Sequence, residues 1–359
     1  MSEWFQTRWF MMKLIVQIPA YNEGETIAEV LGDIPRTIPG VDVVEVLVVD
    51  DGSRDDTVSI ALAHGVDHVV RHVGNKGLAF AYQTGIDTAL RLGADIIVNT
   101  DGDHQYSGSD IPRLIAPILE GRADVVIGDR QVSSIEHFSP LKKTLQHVGS
   151  GVVRWASGTN VADTVSGFRA LSREAALRTF VTSEFSYTVE NLIQAGKRRL
   201  TIMTVPITVQ PTRPSRLSKN TWHFVKRQAS TIVRTYATHE PLKTFSYIAT
   251  PFLLLGALLL ARAFYIFLMR QFVDNYPESN FQSLVGGATL LIVGFVILMF
   301  GLLADLIGSL RRRMDEGLYR IRKQEVDHEA WRRVVDARLT QLEQMLLEPL
   351  EHESRMRER

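Results

Sequence analysis

The sequence predicts an α/β protein: a Rossmann-like, mainly parallel sheet at the N-terminal end, then a two-helix transmembrane hairpin and a helical cytoplasmic tail. Three observations carry that prediction. Short β-rich apolar runs alternate with helical stretches of about 10–15 residues as far as Val209, the pattern of a parallel sheet with right-handed crossovers. Two long apolar runs begin at Tyr247. From Arg311 the chain turns highly charged with helical spacing. The divisions fall at a leader (1–12), an α/β head (13–219), a juxtamembrane amphipathic helix (220–245), the two spans (246–310) and the tail (311–359). Across 359 residues, 40 basic side chains balance 40 acidic ones, so global charge gives no case for a nucleic-acid partner. There is no cysteine, which excludes disulfides, thiolate metal sites and cysteine nucleophiles.

The elements follow in order. Met1–Met12 holds Trp4, Phe5, Trp9 and Phe10 but lacks the apolar core of a signal peptide; an interfacial segment and a disordered leader both fit it. Leu14–Ile18 is a buried-strand pattern stopped by Pro19, and a helix starts near Thr26. Val43–Val49 is a strand ending in Asp50-Asp51-Gly52-Ser53, with a helix from Asp56 to His64. Val66–Arg71 is a short strand, and Leu78–Leu92 a helix. Ala94–Asn99 is a strand, Ile111–Leu119 a helix, and Ala123–Gly128 a strand ending at Asp129-Arg130. Helices are expected over Lys142–Ser157, Arg173–Phe180 and Phe185–Ala195, then a β run over Leu200–Val209.

In such sheets, ligands bind beyond the carboxyl ends of the strands. Three of these ends carry polar clusters: Pro19–Glu23, Asp50–Ser53 and Asp101–Gln105. Any one is ordinary turn chemistry, but three on one sheet edge mark a site. In the third, Asp101 and Asp103 lie two residues apart around Gly102, which allows a tight bend and leaves room for a bulky ligand. Two carboxylates and the Gln105 carbonyl are hard oxygen donors suited to a divalent cation shared with phosphates. Further on, the loop Pro211–Lys219 holds Arg213, Arg216 and Lys219 with no acid, which fits a solvated loop or a phosphate contact.

Tyr247–Leu268, interrupted by Arg262, and the uncharged Leu284–Leu303 are each long enough to span a bilayer. Arg262 is costly there unless it snorkels or pairs; Asp305 as its partner and both residues facing the headgroups are the two readings. The loop between the spans is acidic on balance and both outer flanks are basic, so the positive-inside rule puts head and tail in the cytoplasm. Thr221–Tyr236 mixes Trp222 and Phe224 with bases, as an interfacial helix does. In the tail, Val335, Leu339, Leu342 and Leu346 follow coiled-coil spacing; a homo-oligomer contact and a solvated single helix are equal readings.

Pro19-Ala20-Tyr21-Asn22-Glu23, Asp50-Asp51-Gly52-Ser53, Asp101-Gly102-Asp103 with Gln105, Ser166-Gly167-Phe168-Arg169 and the Arg213…Ser218-Lys219 loop together resemble family 2 glycosyltransferases of GT-A fold. Within them the chain is similar to the dolichol-phosphate mannose synthase and polyprenyl-phosphate glycosyltransferase branch, over Lys13–Lys219 and into the hairpin. The resemblance implies a nucleotide-sugar donor, a polyprenyl-phosphate acceptor and Mg²⁺ or Mn²⁺. It implies that Pro19, Ala20, Tyr21 and Glu23 line the nucleotide pocket, and that Val49 and Asp51 hold base and ribose. Asp101, Gly102, Asp103 and Gln105 would meet the metal and diphosphate, with Asp103 the indispensable ligand. Arg130, Arg169, Arg213, Arg216, Ser218 and Lys219 would contact donor or acceptor phosphates. His104, before Gln105 rather than after it, departs from the family order and is left unassigned, and the final loop lacks the Gly-Glu that often precedes Ser-Lys.

A phosphate acceptor is already anionic, so this chemistry calls for cations rather than a strong base; the resemblance implies direct displacement with inversion. A hydroxyl acceptor would instead need a base, with Glu184 or Glu190 available. An inactive membrane scaffold is the rival outside enzymes. A nucleotidyltransferase is disfavoured because no glycine-rich basic loop follows the first strand.

Overall fold

The computed structural model describes residues 11–131, 161, 163–181, 187–210, 241–273 and 281–357. The chain divides into two compact units, residues 1–231 with 318–359, and residues 232–317. The expected helices over Lys142–Ser157 and Thr221–Tyr236 and the basic loop 211–219 lie outside the described residues.

The first unit is built on one seven-stranded sheet. β1 (Lys13–Ala20), β2 (Val43–Asp50), β3 (His68–Arg71) and β4 (Ile96–Asn99) run parallel, interleaved with α1 (Ile27–Asp33), α2 (Thr57–Ala63) and α3 (Leu78–Arg91). After α4 (Ile111–Leu119) and β5 (Val125–Asp129) come β6 (Arg169–Ser172), α5 (Arg173–Leu177), α6 (Tyr187–Lys197) and β7 (Ile202–Pro206). The order is β3-β2-β1-β4-β6-β5-β7, with β6 antiparallel to both neighbours and β5–β7 parallel. The central strands are buried on both faces, which is why Leu14–Ile18, interrupted only by Gln17, and Val46–Val49 read as apolar runs.

β6 is the element that sequence reading missed, since no strand was expected between Gly128 and Leu200. Four residues, Arg-Ala-Leu-Ser, give too little alternation to show a strand. Its strand state depends on β4 and β5 offering free edges on either side. Ser172 then caps α5, its side chain accepting from Ala175 N.

The second unit is a helical hairpin. α7 (Pro241–Phe272) and α8 (Phe281–Arg357) enclose the two predicted spans, and each has a stretch long and apolar enough to cross a membrane. Ala249, Gly256 and Ala263, seven residues apart, form the buried stripe of α7. On α8, Gly287, Gly294 and Gly301 repeat at the same interval, and a methyl group at Gly256 would stand 2.9 Å from Leu291 N. Arg262 donates to Ser283 Oγ at 2.9 Å, a partner that neither sequence reading named. α8 continues without a break into the tail, whose residues from Leu318 group with the α/β head rather than standing apart.

Candidate active site

The three polar strand ends are tied to one another by hydrogen bonds. Asn22 N donates to Ser53 Oγ (2.8 Å), Glu23 N to Thr57 Oγ1 (2.9 Å) and Arg54 N to Asn22 Oδ1 (2.9 Å), which joins the β1 and β2 loops. Thr26 Oγ1 donates to Gly102 O (2.6 Å), which joins the β1 and β4 loops. A methyl at Gly102 would sit 3.1 Å from Glu23 Cγ, so the space that this glycine leaves is filled by Glu23. Asn22, His104 and Gln131 follow β1, β4 and β5, and all three adopt left-handed backbone at φ 54°, 57° and 48°. Non-glycine residues hold that conformation only where surrounding contacts impose it, and such residues gather at functional sites.

Asp101 is the centre of this edge. Its two carboxylate oxygens face Gly167, where an added methyl would lie 2.8 Å from each. Burial raises its pKa to about 7, with Asp103 and Glu23 adding repulsion and Arg130 opposing. Arg130 is gripped by Asp163 through Nε (2.6 Å) and Nη2 (3.0 Å), a two-point pair. Burial pulls its pKa down, but Tyr106, Asp163 and Asp101 more than offset this, so its charge is secure. The sequence placed Arg130 here; it did not pick out Asp163, three residues before the Ser-Gly-Phe-Arg motif, as its partner.

Behind Asp101 runs a buried polar chain that sequence reading also missed. Asn99 Nδ2 donates to Gly167 O (2.8 Å) and Tyr187 Oη (2.9 Å), and its Oδ1 accepts from Gln17 Nε2 (2.9 Å). Tyr106 Oη accepts from Gly167 N (3.1 Å), and the Tyr106 ring stacks on Phe168. The signal was present: Gln17 and Asn99 are amides inside otherwise apolar strands, which burial tolerates only when they are hydrogen-bonded.

Several expectations change. Arg169 has no exposed surface, and its guanidinium donates to the carbonyl oxygens of Ser166, Thr188 and Thr164 and to Asn191 Oδ1. It is a core fastener rather than an acceptor-phosphate contact, because its donors are engaged inside the fold. Val49 is wholly buried with its Cγ2 against Gly85, so its side chain presents nothing to a base. The Asp51 carboxylate accepts from His72 Nδ1 (2.8 Å), Lys76 N (2.9 Å) and Gly77 N (2.8 Å), anchoring the loop before α3. Tyr21 is exposed at the rim, and Ala20 is buried behind it. Glu190 is buried and accepts from Gln194 Nε2, away from the open role of a base.

Asp103 Oδ1 accepts from Gln105 N (3.1 Å), and Gln105 O accepts from Gln210 N (2.9 Å). The chain therefore reaches residue 211 from beside the Asp-Gly-Asp motif; Arg213, Arg216, Ser218 and Lys219 lie outside the described residues. Among the described residues, no three His, Asp or Glu side chains form a closed metal cage. The donor set still fits a divalent cation that takes its other oxygens from a ligand. Burial, and then repulsion from Asp103, let Asp101 hold its proton to an unusually high pH without a cation.

The glycosyl transferase family 2 model matches residues 15–180. Glycosyltransferase AglJ of Haloferax volcanii is 31% identical over 304 residues, covering 82% of this chain and 93% of that protein. The undecaprenyl-phosphate mannosyltransferase of Micrococcus luteus is 30% identical, covering 55% of this chain and 83% of its own. Among solved structures, glucosyl-3-phosphoglycerate synthase from Mycobacterium tuberculosis, in complex with Mn²⁺, UDP-glucose and phosphoglyceric acid, is 25% identical with a TM-score of 0.50. The match covers 63% of this chain and 79% of that one. With the sheet, the strand-end motifs and these relatives in agreement, the chain is a glycosyltransferase of family 2 and belongs to its polyprenyl-phosphate branch.

Proposed function

We propose that this chain transfers a hexose, mannose or glucose, from a GDP- or UDP-sugar to a polyprenyl or dolichyl phosphate. The reaction is metal-dependent and inverts the anomeric centre. The observation that carries the reading is the Asp101 carboxylate, held against Gly167 between Glu23, Asp103 and Arg130 at the carboxyl edge of the sheet. Mg²⁺ or Mn²⁺ at Asp101, Asp103 and the Gln105 amide would neutralise the diphosphate leaving group. Arg130, fixed by Asp163, faces the same charge. Pro19, Ala20, Tyr21, Glu23 and Asp51 border the nucleotide side. Arg213, Arg216, Ser218 and Lys219 meet the acceptor phosphate, whose own oxygen is the nucleophile, so no side chain has to remove a proton from it. The hairpin spans the membrane with head and tail on the cytoplasmic side, as the basic outer flanks of the spans favour.

The test uses membranes carrying the full chain, a panel of radiolabelled GDP- and UDP-sugars including UDP-N-acetylglucosamine, polyprenyl phosphate, and EDTA or added Mn²⁺. Acid-labile, organic-extractable label that disappears with EDTA is the expected result. Label confined to polysaccharide would instead establish a hydroxyl acceptor, and no transfer with any donor would favour the scaffold.

A further inference from the structure

The tail offers an observation that the transfer reaction does not use. Tyr319 and Val326 of α8 are only 9% and 2% exposed, although they belong to a stretch rich in charge. With Arg322 they form one helical stripe, and that stripe is seated on α3 and α5 within the first unit. Tyr319 Oη donates to both oxygens of Glu174 (3.0 and 2.9 Å), and Arg178 lies over its ring. Arg91 pairs with Glu325 (3.2 Å) and Arg173 with Asp327 (3.5 Å) at the margins. A cavity of about 240 Å³ between Asp87, Phe180, Ile321 and Arg322 shows that the seat is not packed solid.

Arg322 is the centre of the seat. It donates to the carbonyl oxygens of Ala176 (3.2 Å), Leu177 (3.3 Å) and Thr179 (2.9 Å), pairs with Asp87 and covers the Phe180 ring. These carbonyls lie at and just past the C-terminal end of α5, where a cation is favoured. Burial draws the guanidinium pKa down to about 10, with Glu325 opposing.

From Thr179 the contacts run to the active site without a gap. Thr179 O also accepts from Gln83 Nε2, whose Oε1 takes Val181 N. Thr179 Oγ1 accepts from Asn191 Nδ2 (3.1 Å), and Asn191 Oδ1 accepts from Arg169 Nη1 (3.2 Å). Arg169 in turn holds the carbonyls of Thr164 and Ser166, on the segment that presses Gly167 against Asp101.

We propose that Leu318–Asp327 is a positioning element for sugar transfer. Docked in cis on α3 and α5, it fixes through Arg322 and Thr179 the segment that sets the Asp101 carboxylate. The occupant of this face is the chain's own tail. A tail read from sequence as free helix or oligomer contact thus becomes a brace for the catalytic domain. This rests on the proposed transfer only for its kinetic readout.

Two measurements test it on the full-length protein. The chain has no native cysteine, so Arg91→Cys with Glu325→Cys supplies a single thiol pair at an exposed margin where the ion pair itself contributes little. A short bis-maleimide should give an internally linked monomer; a linked dimer, or no link, overturns docking in cis, and either result is read without turnover. Next, Arg322→Ala should lower kcat about tenfold, as for mutations along a coupled network, and Arg322→Lys should restore part of it. The donor KM should stay within about twofold, because the lost interaction belongs to the reacting geometry. Wild-type kcat in Arg322→Ala, or a loss that follows the unfolded fraction in a melting curve, overturns the positioning role. If Arg322→Ala fails to fold, Glu325→Arg with Asp327→Arg sets like charges against Arg91 and Arg173 and should lower kcat by about two- to threefold at unchanged donor KM; wild-type kcat there overturns the role. Absence of product in the wild type with every donor would instead strike the proposed function.

Discussion

The α/β head and the helical hairpin place the same residue types in opposite ways. In the head, Leu14, Ile18, Val48 and Ile97 are fully buried, while amides and carboxylates gather at the strand ends. In the hairpin, Leu254, Leu258 and Ile292 are exposed, and the buried line is Ala249, Gly256 and Ala263. The difference is the one expected between water around the head and lipid around two candidate membrane spans. Water drives large apolar side chains together, but lipid does not, so a hairpin in a bilayer associates through close backbone approach at small residues. Glycine shows this most clearly. Gly167 makes room for a carboxylate, and Gly256 makes room for another helix's backbone.

That contrast can be broken by substitution, beginning with the largest effect. Asp103→Ala should reduce transfer by at least about 10²–10³-fold with an unchanged melting temperature, since it removes charge stabilisation and no packing. Gly167→Ala should come next. Its methyl would stand 2.8 Å from both Asp101 oxygens, so activity should fall by about 10²-fold because the carboxylate is displaced. The same assay with a melting curve separates this from a folding defect. Gly256→Leu should destabilise the hairpin by about 1–3 kcal/mol through overpacking against Leu291 and Gly287. Gly286→Leu is the control, because its nearest neighbour would be Leu259 Cδ1 at 3.7 Å; equal losses in detergent melting would break the comparison. Ser283→Ala, which removes the acceptor for Arg262, should cost only about 0.6 kcal/mol, the average for hydrogen bonds between membrane helices.

A pH series sharpens the same contrast. The folded pKa of Asp101 is raised to about 7 from an ordinary 3.8, so the native state holds a proton that the unfolded chain has released. Stability of the metal-free head should therefore fall as pH rises from about 4 to about 7. Asp101→Asn should flatten that slope, and Mn²⁺ with nucleoside diphosphate should offset it. A metal-free melting temperature that is equally flat in wild type and Asp101→Asn would contradict the burial of this carboxylate.

Much of the fold was legible in the chain itself. Leu14–Ile18 and Val43–Val49 announced parallel strands, and Pro19–Glu23, Asp50–Ser53 and Asp101–Gln105 announced the polar strand ends that hydrogen bonds tie together. Arg169 was misread for a physical reason. An arginine beside Ser-Gly-Phe looks like a phosphate contact, and only the carbonyls converging from Thr164, Ser166 and Thr188 show it to be structural. Val49 was likewise a plausible base contact until α3 was seen to cover it.

By itself, the sequence determined the periodicities and local chemistry: strands, spans, the Asp-Gly-Asp turn and the family. These depend on neighbours a few residues apart, and so they survive in one dimension. The tertiary structure alone decided that β6 is a strand, that Gly167 faces Asp101, and that Tyr319, Arg322 and Val326 seat the tail on the catalytic domain. Each of those depends on partners far apart in the chain, some by more than 140 residues, and no local pattern encodes them.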